Sequence, residues 1–179
     1  LQDDLRRIVA GVHHDPHGVL GGHERAGQAT VLTYLPTSQS AWLEGQWQMT
    51  RLPDSDFYYW QGPRGALPVH YRIGWRDSHG YDHERVDPYS FAPCFGTSDL
   101  TAFSAGYEAR GWQFLGAQLL QIDGVGGVRF AVWAPNATRV SVVGPFCGWD
   151  GRHYPLRSLG ASGVWEIFMP DLVAGEVYK

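Results

Sequence analysis

The chain has 179 residues, enough for one or two domains that each enclose a hydrophobic core. Its formal net charge of −4 and charged fraction of 18% argue against binding to nucleic acid or to an anionic membrane. No apolar run approaches the roughly 20 residues of a membrane span, and Cys94 and Cys147 lie far apart without metal-binding spacing, a usage that fits a cytoplasmic protein.

The predicted elements are short. Residues 1–10 have apolar positions at helical spacing and are followed by Gly11, which predicts one short helix rather than a secretory signal. The segments VLTYLP, SAWLEGQW, DFYYWQG and PVHYRIGW then predict strands separated by turn formers. Ser98 is the predicted N-cap of a brief helical linker, and the strand pattern resumes at Trp112. The 8 Trp, 9 Tyr and 8 Phe are typical of such short strands and also of sugar-binding surfaces.

An internal repeat organises these segments. VLGGH at residues 19–23 is similar to FLGAQ, 95 positions later. VLTYLPTSQSAWL at residues 31–43 follows the pattern of FAVWAPNATRVSV, 99 positions later, and FYYWQGPRGALPVHYR at residues 57–72 aligns with VWEIFMPDLVAGEVYK, 107 positions later. Three matches in the same order predict two similar β-sandwich modules in tandem.

The change of offset locates the difference between the two copies. The last increase of the offset, from 99 to 107, puts eight extra residues between Val142 and Val164. They lie in a Gly-rich loop that carries Trp149. Loops on a rigid sheet are frequent sites of binding residues. The first copy continues for a further strand pattern after Tyr71, whereas the second stops at Lys179. We therefore expect the second module to lack its closing strand and the chain to be a piece of a longer one.

One strand pattern also predicts an aromatic side chain on the outer face of its strand. With alternation of period two, the outward positions of the segment 128–133 should be occupied by Arg129, Ala131 and Trp133, while Val128, Phe130 and Val132 face the core. An apolar outer face favours contact with another module, which makes Trp133 a candidate for an interdomain contact.

Four motifs carry a resemblance to bacterial 1,4-α-glucan (glycogen) branching enzymes. They are DPHGVLGGH (15–23), VDPYSF (86–91), GVRFAVWAPNATRVSVVGPFCGWDGRHYPLR (127–157) and GVWEIFMP…GEVYK (163–179). The third motif resembles the glycogen-binding-type β-sandwich that precedes the catalytic barrel in branching and debranching enzymes and that also occurs in glycogen-sensing kinase subunits. The first motif points to branching enzymes with a further, related N-terminal module.

This resemblance implies an all-β fold of two tandem immunoglobulin-like β-sandwich modules with a short N-terminal helix and a short helical linker. Residues 1–106 would form the N-terminal module, and residues 107–179 a glycogen-binding-type carbohydrate-binding module truncated at its C-terminus. The family's aspartate nucleophile and glutamate acid/base lie in an α-amylase-type barrel, which would begin beyond Lys179. The fragment would therefore serve as scaffold and glucan anchor for a branching transferase, without a cofactor.

The residues themselves also disfavour catalysis. A retaining glycosyl transfer needs two carboxyl groups roughly 5 Å apart, and a barrel needs roughly 250 residues. Asp15, Asp87 and Asp150 each adjoin proline or glycine, a setting typical of turns. We expect no catalytic residue in this chain.

The resemblance assigns a glucan contact to two residues. In the glycogen-sensing subunits, the tryptophan of the matching loop and the lysine of the matching YK pair contact the glucan, and Trp149 and Lys179 hold these positions here. Cys147 and Gly148 stand where those subunits have two asparagines, which removes two possible hydrogen bonds to sugar. The alternative is that Trp149 packs on a neighbouring module or on the barrel.

Four histidines within HHDPHGVLGGH raise the question of a metal site. His13, His14 and His17 precede a turn, and His23 aligns with Gln118 of the other copy, which is not a usual ligand. We expect no metal, and we predict that this segment, including His23, makes interdomain hydrogen bonds.

Two other functions remain open at this point. One is a stand-alone glucan-binding or glycogen-sensing protein without an enzyme domain. The other is a debranching or trehalose-forming relative, which should lack the first module. Sequence beyond Lys179 would separate a branching enzyme from a stand-alone protein, because only the enzyme continues into a barrel.

Overall fold

A computed structural model describes residues 1–107 and 111–179. Its helices are α1 (Gln2–Val9), α2 (Thr97–Ser104) and α3 (Gly111–Phe114). Its strands are β1 (Gly21–Arg25), β2 (Gln28–Tyr34), β3 (Ser38–Leu43), β4 (Trp47–Gln48), β5 (Thr50–Arg51), β6 (Phe57–Pro63), β7 (Arg72–Asp77), β8 (Asp82–Val86), β9 (Gly116–Ile122), β10 (Val125–Trp133), β11 (Arg157–Ser158) and β12 (Val164–Pro170). No helix within the described ranges is long and apolar enough to cross a membrane.

The described chain divides into two compact units. The first unit comprises residues 17–91, and the second unit comprises residues 1–16 together with residues 92–179. The predicted helix near the start is confirmed as α1, which ends just before Gly11.

The first unit is a sandwich of two antiparallel sheets, in the strand orders β1-β2-β6-β5 and β4-β3-β7-β8. Alternate residues of β2, β3, β6 and β7 point inward, as expected when one face of each strand is buried. The core between the sheets contains Val31, Leu43, Tyr58 and Ile73. The all-β prediction is confirmed in this unit.

The main sheet of the second unit repeats this arrangement. Its order, β9-β10-β12-β11, matches β1-β2-β6-β5 strand for strand. The registers are the same as well. The Tyr34–Phe57 pair of the first unit is equivalent to the Trp133–Val164 pair of the second unit. The Thr50–Tyr59 pair is likewise equivalent to the Arg157–Glu166 pair. The internal repeat is therefore a repeat of backbone pairing, which the sequence offsets of 99 and 107 reproduce.

The first change of offset falls in a hairpin. The strands β1 and β2 are joined by Ala26 and Gly27, and β9 and β10 by Asp123 and Gly124, with positive φ at all four residues. Two-residue turns of this kind match the right-handed twist of the strands. Because the turn keeps its length, the four added residues lengthen each strand of the second hairpin by two.

The second change of offset falls in the loop that carries Trp149. Two backbone hydrogen bonds of the first unit recur in the second. The bond from Glu44 N–H to Arg72 C=O is equivalent to that from Val143 N–H to Lys179 C=O, both 3.0 Å, and the bond from Met49 N–H to Ala41 C=O is equivalent to that from Leu156 N–H to Val140 C=O, both 2.9 Å. The loop between these anchors runs from Glu44 to Met49 in the first unit and from Val143 to Leu156 in the second. All eight extra residues lie there, as the offsets predicted.

The outer face of β10 is covered at two of its three positions. Arg129 and Ala131 do lie opposite the buried Val128 and Phe130, but both are themselves buried. The segment that precedes β9 covers them, since the Arg129 guanidinium lies 4.3 Å over the Phe95 ring and donates to the carbonyls of Gln113 and Phe114 at 3.0 and 3.2 Å. Val132, expected in the core, is 39% exposed.

Two local predictions before β9 are also wrong. Helix α2 begins at Thr97 with Gly96 as its N-cap, and the Gly96 N–H donates to the Asp99 carboxylate at 2.9 Å. Ser98 lies inside the helix. Trp112, expected to open a strand, lies in α3, and the strand begins at Gly116.

Candidate functional site

The loop between Val143 and Leu156 presents Trp149 on a tight turn. Gly148 and Trp149 both have left-handed backbones, with φ of 57° and 63°. The Trp149 N–H donates to the Gly144 carbonyl at 3.0 Å, and the Asp150 N–H donates to the Cys147 carbonyl at 3.1 Å. A positive φ is rare for a bulky residue. The turn leaves the Trp149 side chain 51% exposed.

Charged side chains brace this loop. Asp150 accepts hydrogen bonds from Arg152 Nε at 3.0 Å, from Nη2 at 2.6 Å and from the Arg152 backbone N–H at 2.9 Å. This contact lowers the pKa of Asp150 to about 2. Arg139 donates to the carbonyl of Gly151 and, at 2.6 Å, to that of Gly11. The loop is thus tied to the start of the chain within the same unit.

Removal of the Arg152 guanidinium should return the pKa of Asp150 toward its ordinary value of 3.8. Because the folded pKa lies below the unfolded one, the stabilisation by ionised Asp150 is present above pH 3.8 and is lost as the pH falls toward 2. An NMR titration of the carboxyl carbon in Arg152→Met measures the shift. Arg7→Met, on α1, is the control. An Asp150 that still titrated near 2 in Arg152→Met would contradict the assignment.

Lys179 lies beside the start of the loop. Its N–H and C=O both pair with Val143, at 2.9 and 3.0 Å. The neighbouring Tyr178 ring meets the Phe130 ring edge-on, with centroids 4.8 Å apart. Gly144 packs so closely that an added Cβ would lie 2.6 Å from the Val177 carbonyl. The structure therefore brings the Trp149 loop and Lys179 together at one edge of the second unit.

The two residues before Trp149 offer no side-chain amide. Cys147 is half-buried against the core, and its thiol donates to the Gly144 carbonyl at 3.4 Å. The polar side chains near the tip are Asp150 and Arg152, both partly exposed. Sequence reasoning missed Arg152, which the Asp-Gly-Arg spacing could have indicated. An indole face beside donors and acceptors suits the non-covalent binding of a hydroxyl-rich ligand.

Buried carboxyl groups lie elsewhere. Within residues 1–107 and 111–179, Asp87 and Glu166 are the buried acids, and burial raises the pKa of each. They belong to different units. Asp87 accepts from Tyr71 O–H at 2.6 Å, and Glu166 accepts from the Cys94 N–H at 2.9 Å. Both carboxyls are thus engaged in holding the fold.

Trp133 and His23 have partners or neighbours within their own units. Trp133 is 56% exposed beside a groove of about 430 Å³ that Phe103 and Pro135 also line. His23 Nε2 lies 3.2 Å from the Leu20 carbonyl. Their role in contacts between domains stays a prediction.

The histidine segment has ordinary contacts. His13 Nε2 lies 3.3 Å from an Asp4 oxygen, and the His17 ring packs on Tyr89 with centroids 4.6 Å apart. In the part of the chain that the structure describes, no three His, Cys, Asp or Glu side chains gather as a metal site would require.

Comparisons with known proteins match both halves of the chain. Residues 1–89 match the family model "alpha-1,4-glucan branching enzyme GlgB, N-terminal domain", and residues 114–179 match "Carbohydrate-binding module 48 (Isoamylase N-terminal domain)". A solved pullulanase from Anoxybacillus sp. LM18-11 aligns with 88% of this chain and 23% of its own at 19% identity, with a TM-score of 0.29, too slight a likeness for any argument.

Curated relatives match the chain from end to end. A 1,4-alpha-glucan branching enzyme GlgB of Cellvibrio japonicus is 45% identical over 100% of this chain and 26% of its own length. One of Hydrogenovibrio crunogenus is 40% identical over 99% and 25%. The chain thus spans about a quarter of the length of these relatives. Residues 1–89 belong to the family of branching-enzyme N-terminal domains, and residues 114–179 belong to carbohydrate-binding module family 48.

Proposed function

We propose that the chain is the non-catalytic N-terminal region of a 1,4-α-glucan branching enzyme of glycogen synthesis. The parent enzyme would cleave an α-1,4-glucan and transfer the segment to form an α-1,6 branch, in the cytoplasm, with a catalytic barrel in another part of the same protein. The observation that carries the proposal is the end-to-end similarity to branching enzymes at 40–45% identity.

Within that role, residues 1–106 would form the N-terminal module and residues 107–179 the carbohydrate-binding module. The second module would anchor glucan through Trp149 and Lys179. The support for this assignment is geometric, since Trp149 is exposed on a braced loop and Lys179 is paired with Val143 at the base of that loop. An indole face can stack on the C–H side of a glucose ring, while the Lys179 ammonium can donate to hydroxyls.

Trp149→Ala should weaken the retardation of the chain in a native gel that contains glycogen. A stacking contribution of about 0.5–1.5 kcal/mol corresponds to roughly a 2- to 12-fold loss of affinity. Trp112→Ala is the matched control, because Trp112 is a 70% exposed indole outside the proposed site. If Trp149→Ala migrated unchanged but melted at lower temperature, the indole would be a packing residue and the assignment would be wrong.

The chain by itself should have no branching activity on amylose. The buried carboxyls Asp87 and Glu166 lie in separate units and hold structural hydrogen bonds, whereas glycosyl transfer needs a paired acid and nucleophile. Iodine staining of amylose after incubation with the purified chain should keep its absorbance maximum. A shift toward the spectrum of branched glucan, abolished by heating the protein, would refute the proposal.

Trp133 and His23 are proposed to face other domains of the full-length enzyme. Exposure of an aromatic side chain beside a groove supports this for Trp133. For His23 the support is its position in the DPHGVLGGH motif, whose resemblance is to branching enzymes with the additional module.

A further inference from the structure

The first unit carries its own aromatic platform on the outer face of its second sheet. The indole of Trp42, in β3, lies directly over Gly74 of the neighbouring strand β7. A Cβ at Gly74 would lie 2.1 Å from Trp42 Nε1 and 2.3 Å from Cε2. The ring can pack here because glycine has no side chain. In the register of the sheet, Gln48 flanks Trp42 on one side and Glu84 flanks Gly74 on the other.

Charged pairs surround this platform. Arg72 Nε donates to Glu84 at 2.7 Å, and Arg76 holds both oxygens of Asp82 at 2.7 and 2.9 Å. All four side chains are substantially exposed. Each ion pair orients both of its side chains. The guanidinium still has N–H donors for a ligand, and the carboxylate still has lone pairs. The face thus combines the half-buried Trp42 indole with oriented polar groups on the neighbouring strands.

The repeat relates this face to the proposed glucan site. Arg72 accepts a backbone hydrogen bond from Glu44 as Lys179 accepts one from Val143, both at 3.0 Å. Arg72 is thus the cation of the first unit at the position that Lys179 holds in the second. The short loop after Glu44 contains Trp47, but this indole packs against the core beside Trp60, with ring centroids 5.8 Å apart. Trp42 instead places an indole on the outer face of the strand that leads into that loop.

We infer that the face formed by Trp42, Arg72, Arg76, Asp82 and Glu84 is a second binding surface for α-1,4-linked glucan. Each arginine of this face is paired with an acid, so neither guanidinium presents an unpaired positive charge to an anionic partner. A sugar ring presents one apolar C–H side to the indole and hydroxyls to the flanking pairs. This inference rests on the proposed glucan-anchoring function, and two weak surfaces on one chain would hold a polymeric glucan by multivalency.

The test is an NMR titration of the intact 179-residue chain, ¹⁵N-labelled at tryptophan, with maltoheptaose. The indole N–H resonance of Trp42 should shift, and it should shift again in the Trp149→Ala background. Trp42→Ala should weaken retention on glycogen by about fivefold, and the Trp42→Ala/Trp149→Ala double variant should lose more than either single variant. Trp112→Ala is again the control, and cellohexaose, a β-linked glucan, should leave the Trp42 resonance in place.

The outcomes separate the two proposals. A Trp42 resonance that stays fixed while the Trp149 resonance shifts would overturn the second surface and leave the first. A Trp149 resonance that stays fixed while Trp42 shifts would overturn the role of Trp149 alone. Since the titration uses the unmutated chain, a failure of Trp42→Ala to fold would not affect this reading.

Discussion

Replacement of Glu166 by alanine is expected to lower the free energy of unfolding of the second unit by about 3 kcal/mol. Glu166 is only 1% exposed. Both of its oxygens accept from the Cys94 N–H, at 2.9 and 3.1 Å, and its Oε1 lies 3.8 Å from Arg157 Nε. Alanine removes this acceptor and the anion that faces Arg157, and thereby releases the segment that covers the outer face of β10.

Urea denaturation followed by tryptophan fluorescence measures this loss. Glu166→Gln keeps one oxygen acceptor without the charge, and we expect it to lose about half as much. Val173→Ala, on an exposed turn, is the control and should change the free energy of unfolding by less than about 0.5 kcal/mol. A Glu166→Ala variant as stable as this control would show that the buried contact contributes nothing.

Glu166 should also make stability depend on pH. Burial raises the pKa of its carboxyl above 4.5, so the unfolded chain releases this proton at a lower pH than the folded chain. The contribution of Glu166 is therefore greatest below pH 4.5 and falls as the pH rises through its raised pKa. Relative to Glu166→Gln, the wild type should lose stability over that window. If the difference in free energy of unfolding between wild type and Glu166→Gln stayed constant or grew as the pH rose, the raised pKa would be contradicted.

Tyr71→Phe is expected to destabilise the first unit by about 2 kcal/mol. The Tyr71 hydroxyl donates to Asp87 Oδ2 at 2.6 Å, and Asp87 Oδ1 accepts from the Tyr89 N–H at 3.1 Å. Burial raises the pKa of both Tyr71 and Asp87. Phenylalanine keeps the ring but leaves a buried carboxyl one donor short.

The repeat supplies the matched control for this variant. Tyr178 occupies the position of Tyr71 in the second unit but is 48% exposed, so Tyr178→Phe should change the free energy of unfolding by less than about 0.5 kcal/mol. Thermal and urea unfolding of the two variants measure the difference. Equal effects at the two positions would mean that the hydrogen bond to Asp87 does not stabilise the first unit.

The sequence by itself determined the fold class and the internal repeat. Insertion of a single residue in a strand would move every following side chain to the other face. The first change of offset avoids this because it adds two residues to each strand of a hairpin, and the second change falls in a loop. That is why the pairing of Tyr34 with Phe57 recurs as that of Trp133 with Val164. Trp165, aligned with Tyr58, is buried as Tyr58 is. The offsets also placed Trp149 in the inserted loop, and the structure shows that it is exposed there.

Only the tertiary structure decided which faces are covered. Alternation along β10 placed Arg129 and Ala131 opposite the core, yet both are buried because the preceding segment, through Phe95 and Phe114, packs over them. Period-two patterning reports which side a residue takes, but the element that lies on that side depends on contacts distant in sequence. The position of the Trp42 ring also depends on a contact distant in sequence. The ring packs against the backbone of Gly74, which has no side chain and lies 32 positions along the chain but adjacent across the sheet.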